Sequence, residues 1–273
     1  MVHPAFRRYG IASQVANGAF AEMEIAGSPI LVGFPNETAF KVYSQRRSNW
    51  RHVCSIPMLV TPLNFDSILR KYIRNPLIRT LVRLPLEVSW KLIFRGNVER
   101  ARGLTVRRVY TFDERFDALW NQACHQFPIL TVRDKAFLKW RFSDKPDTDC
   151  VSFVAEQRGQ PLGYIVVRGD QMMGLRVGLI LDMLTTDPEV ASVLVSQAIQ
   201  HFKSEGKEAI GCLMLQHTPY FKVLRRAGFV VAPKKLMHKE FYFGVQVKPS
   251  VLAAETINKR TNWYLTFADT DLA

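Results

Sequence analysis

Two small clusters near the start of the chain have residue types and spacings that chemistry can use. Arg7, Gly10 and Ala12 stand as R-x-x-G-x-A ahead of Ile11, Val15, Ala19 and Met23, whose four-residue spacing predicts an amphipathic helix. A helix N-terminus offers unpaired N–H groups and a partial positive charge. Gly10 and Ala12 are small enough for an anionic ligand to approach the backbone, and Arg7 and Arg8 add cationic charge. The stretch Val2, Arg7, Arg8, Tyr9, Gly10, Ile11, Ala12 and Ser13 is therefore a candidate anion cradle. Asn36, Ala39 and Tyr43 follow as N-x-x-A-x-x-x-Y on a second helix. Tyr43 carries a hydroxyl able to donate a proton to a leaving group; the alternative is a half-buried core aromatic beside Ala39 and Phe40.

The elements that must hold these residues are legible in the pattern. The first helix ends at Gly27, a strand covers Ile30 to Phe34, a helix starts at Asn36, and a strand lies around His52 to Val60. From Thr105 the pattern starts again. It reads strand (to Phe112), helix (capped by Asp113) and helix (Asp134 to Phe142), then a meander over Cys150 to Glu156, Leu162 to Val167 and Arg176 to Leu184. Asp187-Pro188-Glu189 opens a helix to about Ser204. A strand over Ala209 to Leu215, a helix over Tyr220 to Arg226 and strands at Phe229 to Val231 and Leu236 to Val245 complete it. The stretch Arg133 to Phe142, with Trp140, reads either as an amphipathic helix that packs Phe137, Leu138 and Trp140 inward or, as R-D-x-x-F-L-x-W-R-F, resembles a stretch of the degenerate acyltransferase-like domains of bacterial cell-surface polysaccharide systems. The tail from Asn262 to Asp271 is expected either to reach a substrate cleft or to clamp the C-terminus.

Between these halves lies most of the charge. The 273 residues carry a net charge of +13, and from Asp66 to Arg108 eleven Lys or Arg stand against three acids, which is +8 and leaves +5 elsewhere. This stretch alternates bulky apolar and basic residues and is expected to form short helices broken at Pro76 and Pro85. One expectation is a connector with a solvated basic face; the other is a helix on an anionic membrane or against a phosphate-rich partner. No apolar run reaches the length that spans a bilayer, and no signal-peptide core follows Arg8, so the chain reads as cytoplasmic. Cys54, Cys124, Cys150 and Cys212 are dispersed and are expected to be reduced and buried; no spacing suggests a metal site.

The strand-helix-helix, meander and crossover order from Thr105 to Val245, with Arg225-Arg226-Ala227-Gly228-Phe229, resembles the GCN5-related N-acetyltransferases, an α/β fold with a mixed sheet and flanking helices. Val2 to Val60 resembles the later half of the same fold, with the cofactor loop Arg7-x-x-Gly10-x-Ala12 and the element Asn36-x-x-Ala39-x-x-x-Tyr43. The implied organisation is a partial domain over 1–62, a basic helical connector over 63–104, a second domain over 105–247 and a tail over 248–273. A preceding segment carrying the rest of the first domain is expected, and without it donor binding is expected to be weak. In the second domain Thr185-Thr186-Asp187-Pro188-Glu189 replaces the cofactor loop, and His217 and Leu224 fall where Asn36 and Tyr43 stand in the first.

The resemblance implies acyl transfer from acetyl-CoA or another acyl-CoA to an amine, without a metal. Arg7, Arg8 and the amides of Tyr9 to Ser13 would hold the diphosphate, Asn36 the cofactor arm, and Tyr43 would protonate the departing thiolate. The acceptor is expected to be a small-molecule or cell-envelope amine. Two alternatives stay open: a non-catalytic binding module, and an aminoacyl-tRNA-dependent transferase of the peptidoglycan-bridge type, although the loop argues against nucleic acid as a partner.

Overall fold

A computed structural model describes residues 3–27, 30–44, 50–93, 103–145, 149–233, 240–247 and 254–271. Val2 and the start of the expected strand at Leu236 lie outside them. The chain forms two compact units, Met1–Cys54 with Tyr242–Arg260, and Ser55–Phe241 with Thr261–Ala273.

The first unit contains α1 (Ile11–Ile25), β1 (Ile30–Gly33), α2 (Glu37–Tyr43), β2 (Trp50–Ile56), β10 (Phe241–Val247) and α9 (Ala254–Asn258). Gly27, at φ +72, turns the chain out of α1, and the Asn36 carboxamide caps α2 by accepting from the Ala39 N–H at 2.9 Å. The sheet order is β1-β10-β2, with β1 antiparallel to β10 from Ile30↔Val247 to Gly33↔Gly244. Aromatic rings hold it together. Phe40 stacks on Tyr242 at 4.0 Å, Phe34 lies 5.2 Å from Phe243, and Trp50 packs so closely over Gly244 that a Cβ there would stand 2.0 Å from the indole. Only glycine fits beneath that ring.

The second unit is built on a seven-stranded mixed sheet. Its strands are β3 (Met58–Pro62), β4 (Thr105–Val109), β5 (Cys150–Gln157), β6 (Gln160–Met172), β7 (Leu175–Thr185), β8 (Ala209–Leu213) and β9 (Val230–Val231), in the order β4-β5-β6-β7-β8-β3-β9. The meander β5-β6-β7 is antiparallel, and β7 then pairs in parallel with β8 through the crossover helix α7 (Pro188–Ser204). Both of these central strands are apolar along almost their whole length, as strands covered on two faces must be. Val190, Ala191, Leu194, Val195, Ala198 and Phe202 form the buried face of α7. The remaining helices are α3 (Phe65–Arg70), α4 (Pro76–Ile93), α5 (Arg115–Ala123), α6 (Lys135–Leu138) and α8 (Pro219–Arg226).

Several expectations change on inspection. The segment around His52 to Val60 is two strands separated by Pro57: β2 belongs to the three-stranded sheet and β3 to the seven-stranded one, while β10, expected with the second domain, lies between β1 and β2. The compact units therefore cut across the contiguous ranges read from the sequence. Pro76 does begin a helix, with the Asn75 carboxamide capping the Leu77 N–H at 2.9 Å, but Pro85 does not break it. Leu81 and Pro85 both lie on the exposed side, where the Leu81 carbonyl that loses its donor is open to solvent. Trp140 points outward at 64% exposure, because a residue two positions along a helix from buried Leu138 faces the opposite side, while Phe142, four positions on, shares the buried face. Cys54 and Cys212 are buried, whereas Cys124 and Cys150 are half-buried; all four are free thiols. Burial pushes the Cys54 thiol up to about 11 and raises Cys212 further, so neither is a nucleophile at neutral pH.

Candidate functional site

The loop ahead of α1 has the backbone an anion cradle needs. A short 3-10 turn, Pro4–Phe6, is followed by Arg7; Arg8 and Gly10 then both adopt φ +73. Alternating left-handed residues point successive N–H groups to one side. The first bond of the helical ladder runs from the Gln14 N–H to the Gly10 carbonyl at 3.0 Å, so the amides of Ile11, Ala12 and Ser13 precede it. No acid stands in the first turn of α1, and a Cβ added at Gly10 would meet nothing within 4 Å. The space over the loop is open. Arg7, Arg8 and Tyr9 are exposed around it.

Asn36 and Tyr43 lie at the two ends of α2. The Asn36 side-chain oxygen is engaged as the helix cap, which leaves its amide NH2 as the group able to reach a ligand. Tyr43 stands at the last position of the helix, its ring 5.8 Å from Trp50, and is 38% exposed. Its hydroxyl belongs to a half-exposed aromatic edge, not to a sealed core.

In the seven-stranded unit, the positions that the sequence aligned with this loop and with Asn36 and Tyr43 have other partners. Asp187 caps α7 with its own carboxylate, accepting from the Glu189 N–H at 2.8 Å and the Val190 N–H at 3.1 Å. The helix start is therefore saturated and negative, as Asp187-Pro188-Glu189 implied. At α8 the cap is Thr218, accepting from Phe221 at 3.2 Å, one residue after His217; His217 is exposed and Leu224 is buried. Leu224 has no proton to give.

The central strands of this unit separate beyond a bulge at Leu181. The parallel pairing of β7 with β8 ends at Ile180↔Cys212, and β7 continues to Thr185. Two tyrosines take up the polar groups on that edge. The Tyr264 hydroxyl donates to the Met183 carbonyl; the Tyr220 hydroxyl accepts from the Thr185 N–H at 2.9 Å and lies 3.1 Å from the Thr185 carbonyl. Phe127 stacks on Tyr264 at 4.4 Å. Burial pushes Tyr220 up to about 12 and holds Tyr264 well above the usual phenol range, so both stay neutral and keep their hydroxyls.

Behind Tyr264 lies a fully buried ionic centre. Arg133 donates through Nε to Asp182 at 3.1 and 3.2 Å, through Nη2 to Asp269 at 2.8 Å and through Nη1 to the Thr131 carbonyl at 2.8 Å. Thr266 and Tyr164 hydroxyls donate to Asp182 at 2.8 and 2.7 Å. Burial opposes the Arg133 charge, but the two carboxylates outweigh it and hold the guanidinium well above its ordinary value. The tail is thus a clamp inside the unit, its Thr266–Asp269 turn closed as a capping box. Tyr220, Tyr264 and Arg133 were not identified as functional from the sequence. The one signal was the polar and aromatic character of the tail.

No group of His, Cys, Asp and Glu able to hold a metal occurs among the described residues. No family model matches the chain. No curated protein matches it either. Solved structures do. A GCN5-related N-acetyltransferase from Anabaena variabilis matches 90% of this chain and 53% of its own, with a TM-score of 0.59 at 12% identity. A probable N-acyltransferase of unknown function from Enterococcus faecalis (90% and 52%, TM-score 0.55, 11% identity) and a GCN5-related N-acetyltransferase from Kribbella flavida (90% and 50%, TM-score 0.54, 12% identity) match likewise. The fold is that of the GCN5-related N-acetyltransferases. The chain spans about half the length of these structures.

Proposed function

We propose that the chain serves acyl-CoA-dependent N-acyl transfer to an amine, with the donor held by the first unit at Arg7 to Ser13. The observation that carries this reading is the contrast between two helix starts: α1 opens from a left-handed loop flanked by Arg7 and Arg8 with no acid in its first turn, whereas Asp187 closes α7 against an anion. In this reading the diphosphate of acetyl-CoA or another acyl-CoA accepts hydrogen bonds from the loop amides, and the Asn36 amide meets the pantetheine arm. The amine nitrogen attacks the thioester carbonyl, the tetrahedral intermediate expels the thiolate, the Tyr43 hydroxyl protonates that sulfur, and the proton shed by the nitrogen returns through water to the Tyr43 phenolate. A small-molecule or cell-envelope amine is the acceptor class.

The seven-stranded unit then serves as scaffold or binding module, a role supported by the filling of its separated strands with Tyr220 and Tyr264. Coenzyme A binding measured by calorimetry distinguishes the two units. Gly10→Asp places a carboxylate against the diphosphate at a φ that aspartate tolerates, and should raise Kd by about tenfold or more. Asp187→Ala should leave Kd unchanged while costing roughly 1 kcal/mol of stability through the lost cap. Equal losses in both variants, or a loss only at Asp187, would assign the donor to the other unit.

A further inference from the structure

The helix α4 carries an apolar stripe that the second unit does not cover. Leu77 is 75% exposed, Leu81 73%, Leu84 51% and Val88 56%, at spacings of four, three and four residues that stack them on one face. Ile78 at 51% and the exposed Pro85 widen the same face. Among the described side chains of this arc none is polar. The opposite face of α4 is the one that packs: Trp90 meets Phe65 of α3 edge-on at 5.7 Å, and Arg79 donates to Asp66 at 2.8 Å.

The segment that carries the stripe is cationic. From Asp66 to Lys91 six Lys or Arg stand against Asp66 and Glu87, a net +4. Asp66 pairs with Arg70 and with Arg79 of the packed face, Glu87 pairs with Arg83 at 3.6 Å, and Arg70, Lys71 and Arg74 ahead of α4 are exposed to solvent. A partner that buries the stripe must therefore be apolar at its centre and anionic around it. An interface of acidic lipid headgroups over acyl chains has that pattern. No helix among the described residues is long and apolar enough to cross a membrane, so α4 would lie along the surface. Its 18 residues give it a length of about 27 Å. The end of α3 is also tied to a second apolar point: Lys71 donates to the carbonyl of Met173 at the β6–β7 hairpin tip, where Met172 and Met173 are 38% and 45% exposed.

We propose that α4 docks this protein on anionic membranes, with Leu77, Leu81, Leu84 and Val88 entering the headgroup–acyl boundary and the neighbouring cations meeting acidic lipid. The test is co-sedimentation of the full chain with phosphatidylcholine vesicles and with phosphatidylcholine–phosphatidylglycerol vesicles. Binding is expected to the mixed vesicles only, and to weaken as salt rises. The pair Leu81→Glu and Leu84→Glu should lower the bound fraction by about tenfold or more, since each replaces buried apolar area with a charge repelled by the lipid. Both positions are exposed, so circular dichroism should be unchanged. A control at Val132→Glu, exposed in the same unit, should bind as the parent does. Parent protein that ignores anionic vesicles, stripe variants that bind undiminished, or a stripe whose loss abolishes self-association or RNA binding while vesicle binding persists would each overturn the proposal.

Discussion

Replacing Asp269 by alanine probes the buried ionic centre and, through it, the clamp that fills the separated strands. One carboxylate oxygen of Asp269 accepts from Arg133 and from the Thr266 N–H, both at 2.8 Å, and the other accepts from the Thr131 hydroxyl at 2.7 Å. Arg133 keeps Asp182 in the variant, so its charge is not left alone. What is lost is a charge-assisted bond worth about 1.5–3 kcal/mol, and what is gained is an unsatisfied N–H in the tail, costing about 1–3 kcal/mol. The sum, about 2.5–6 kcal/mol, brackets the usual cost of breaking a buried pair from one side, about 3–5 kcal/mol. Asp269→Asn keeps both acceptor bonds and can donate to Thr131, so its cost should be about 1–2 kcal/mol. Urea unfolding followed by tryptophan fluorescence, to which buried Trp263 of the tail contributes, should show the alanine midpoint lowered by about 1–2 M. An alanine variant within about 1 kcal/mol of the parent, or alanine and asparagine variants of equal stability, would show that the tail is not held by this centre.

Two further outcomes can be measured alongside. Tyr220→Phe removes the hydroxyl that satisfies the Thr185 N–H and should destabilise the second unit by about 1–3 kcal/mol, read as faster hydrogen exchange along β7; unchanged protection there would count against the filled-cleft reading. Hydrogen bonding from Arg107 holds the Glu156 carboxyl below its ordinary 4.5, so the stability it contributes is fully present above pH 4.5 and is lost as pH falls through the lowered folded value. Glu156→Gln should therefore flatten the acid limb of a thermal-stability profile below that pH, and an acid limb identical to the parent would refute the assignment.

What the sequence made legible is what short range decides. The helix opening after Gly10, the helix start at Asn36, the Asp187 cap and the meander each follow from a few adjacent residues, and the structure contains them where the pattern puts them, whereas the left-handed Arg8 was not read from the sequence. The ionic centre was hidden for the opposite reason. Arg133 opens an amphipathic stretch whose pattern names no partner for it, and its partners Asp182 and Asp269 are 49 and 136 residues away. Trp140 was misplaced for a local reason, since residues two apart on a helix face opposite sides and an inward Leu138 turns Trp140 out. The sheet membership of β3 and β10 was equally invisible, because a strand's own residues specify its two faces and not its neighbours.

That exchange of strands bears on every experiment above. β3 is antiparallel to β8 from Met58↔Leu213 to Pro62↔Ala209, and to β9 at Leu59↔Val231 and Val60↔Val230, so the seven-stranded sheet takes an interior strand from a segment contiguous with β2. The three-stranded sheet takes its central strand from residues after position 240. A fragment cut at residue 62 or 104 would leave β8 without a neighbour on one side and would strip β10 from between β1 and β2. The backbone groups bared by such cuts are the ones that invite edge-to-edge aggregation. Failure of an isolated fragment to bind coenzyme A or membranes would thus report lost strands and not a lost site, whereas the substitutions at Gly10, Leu81, Leu84 and Asp269 leave both sheets paired.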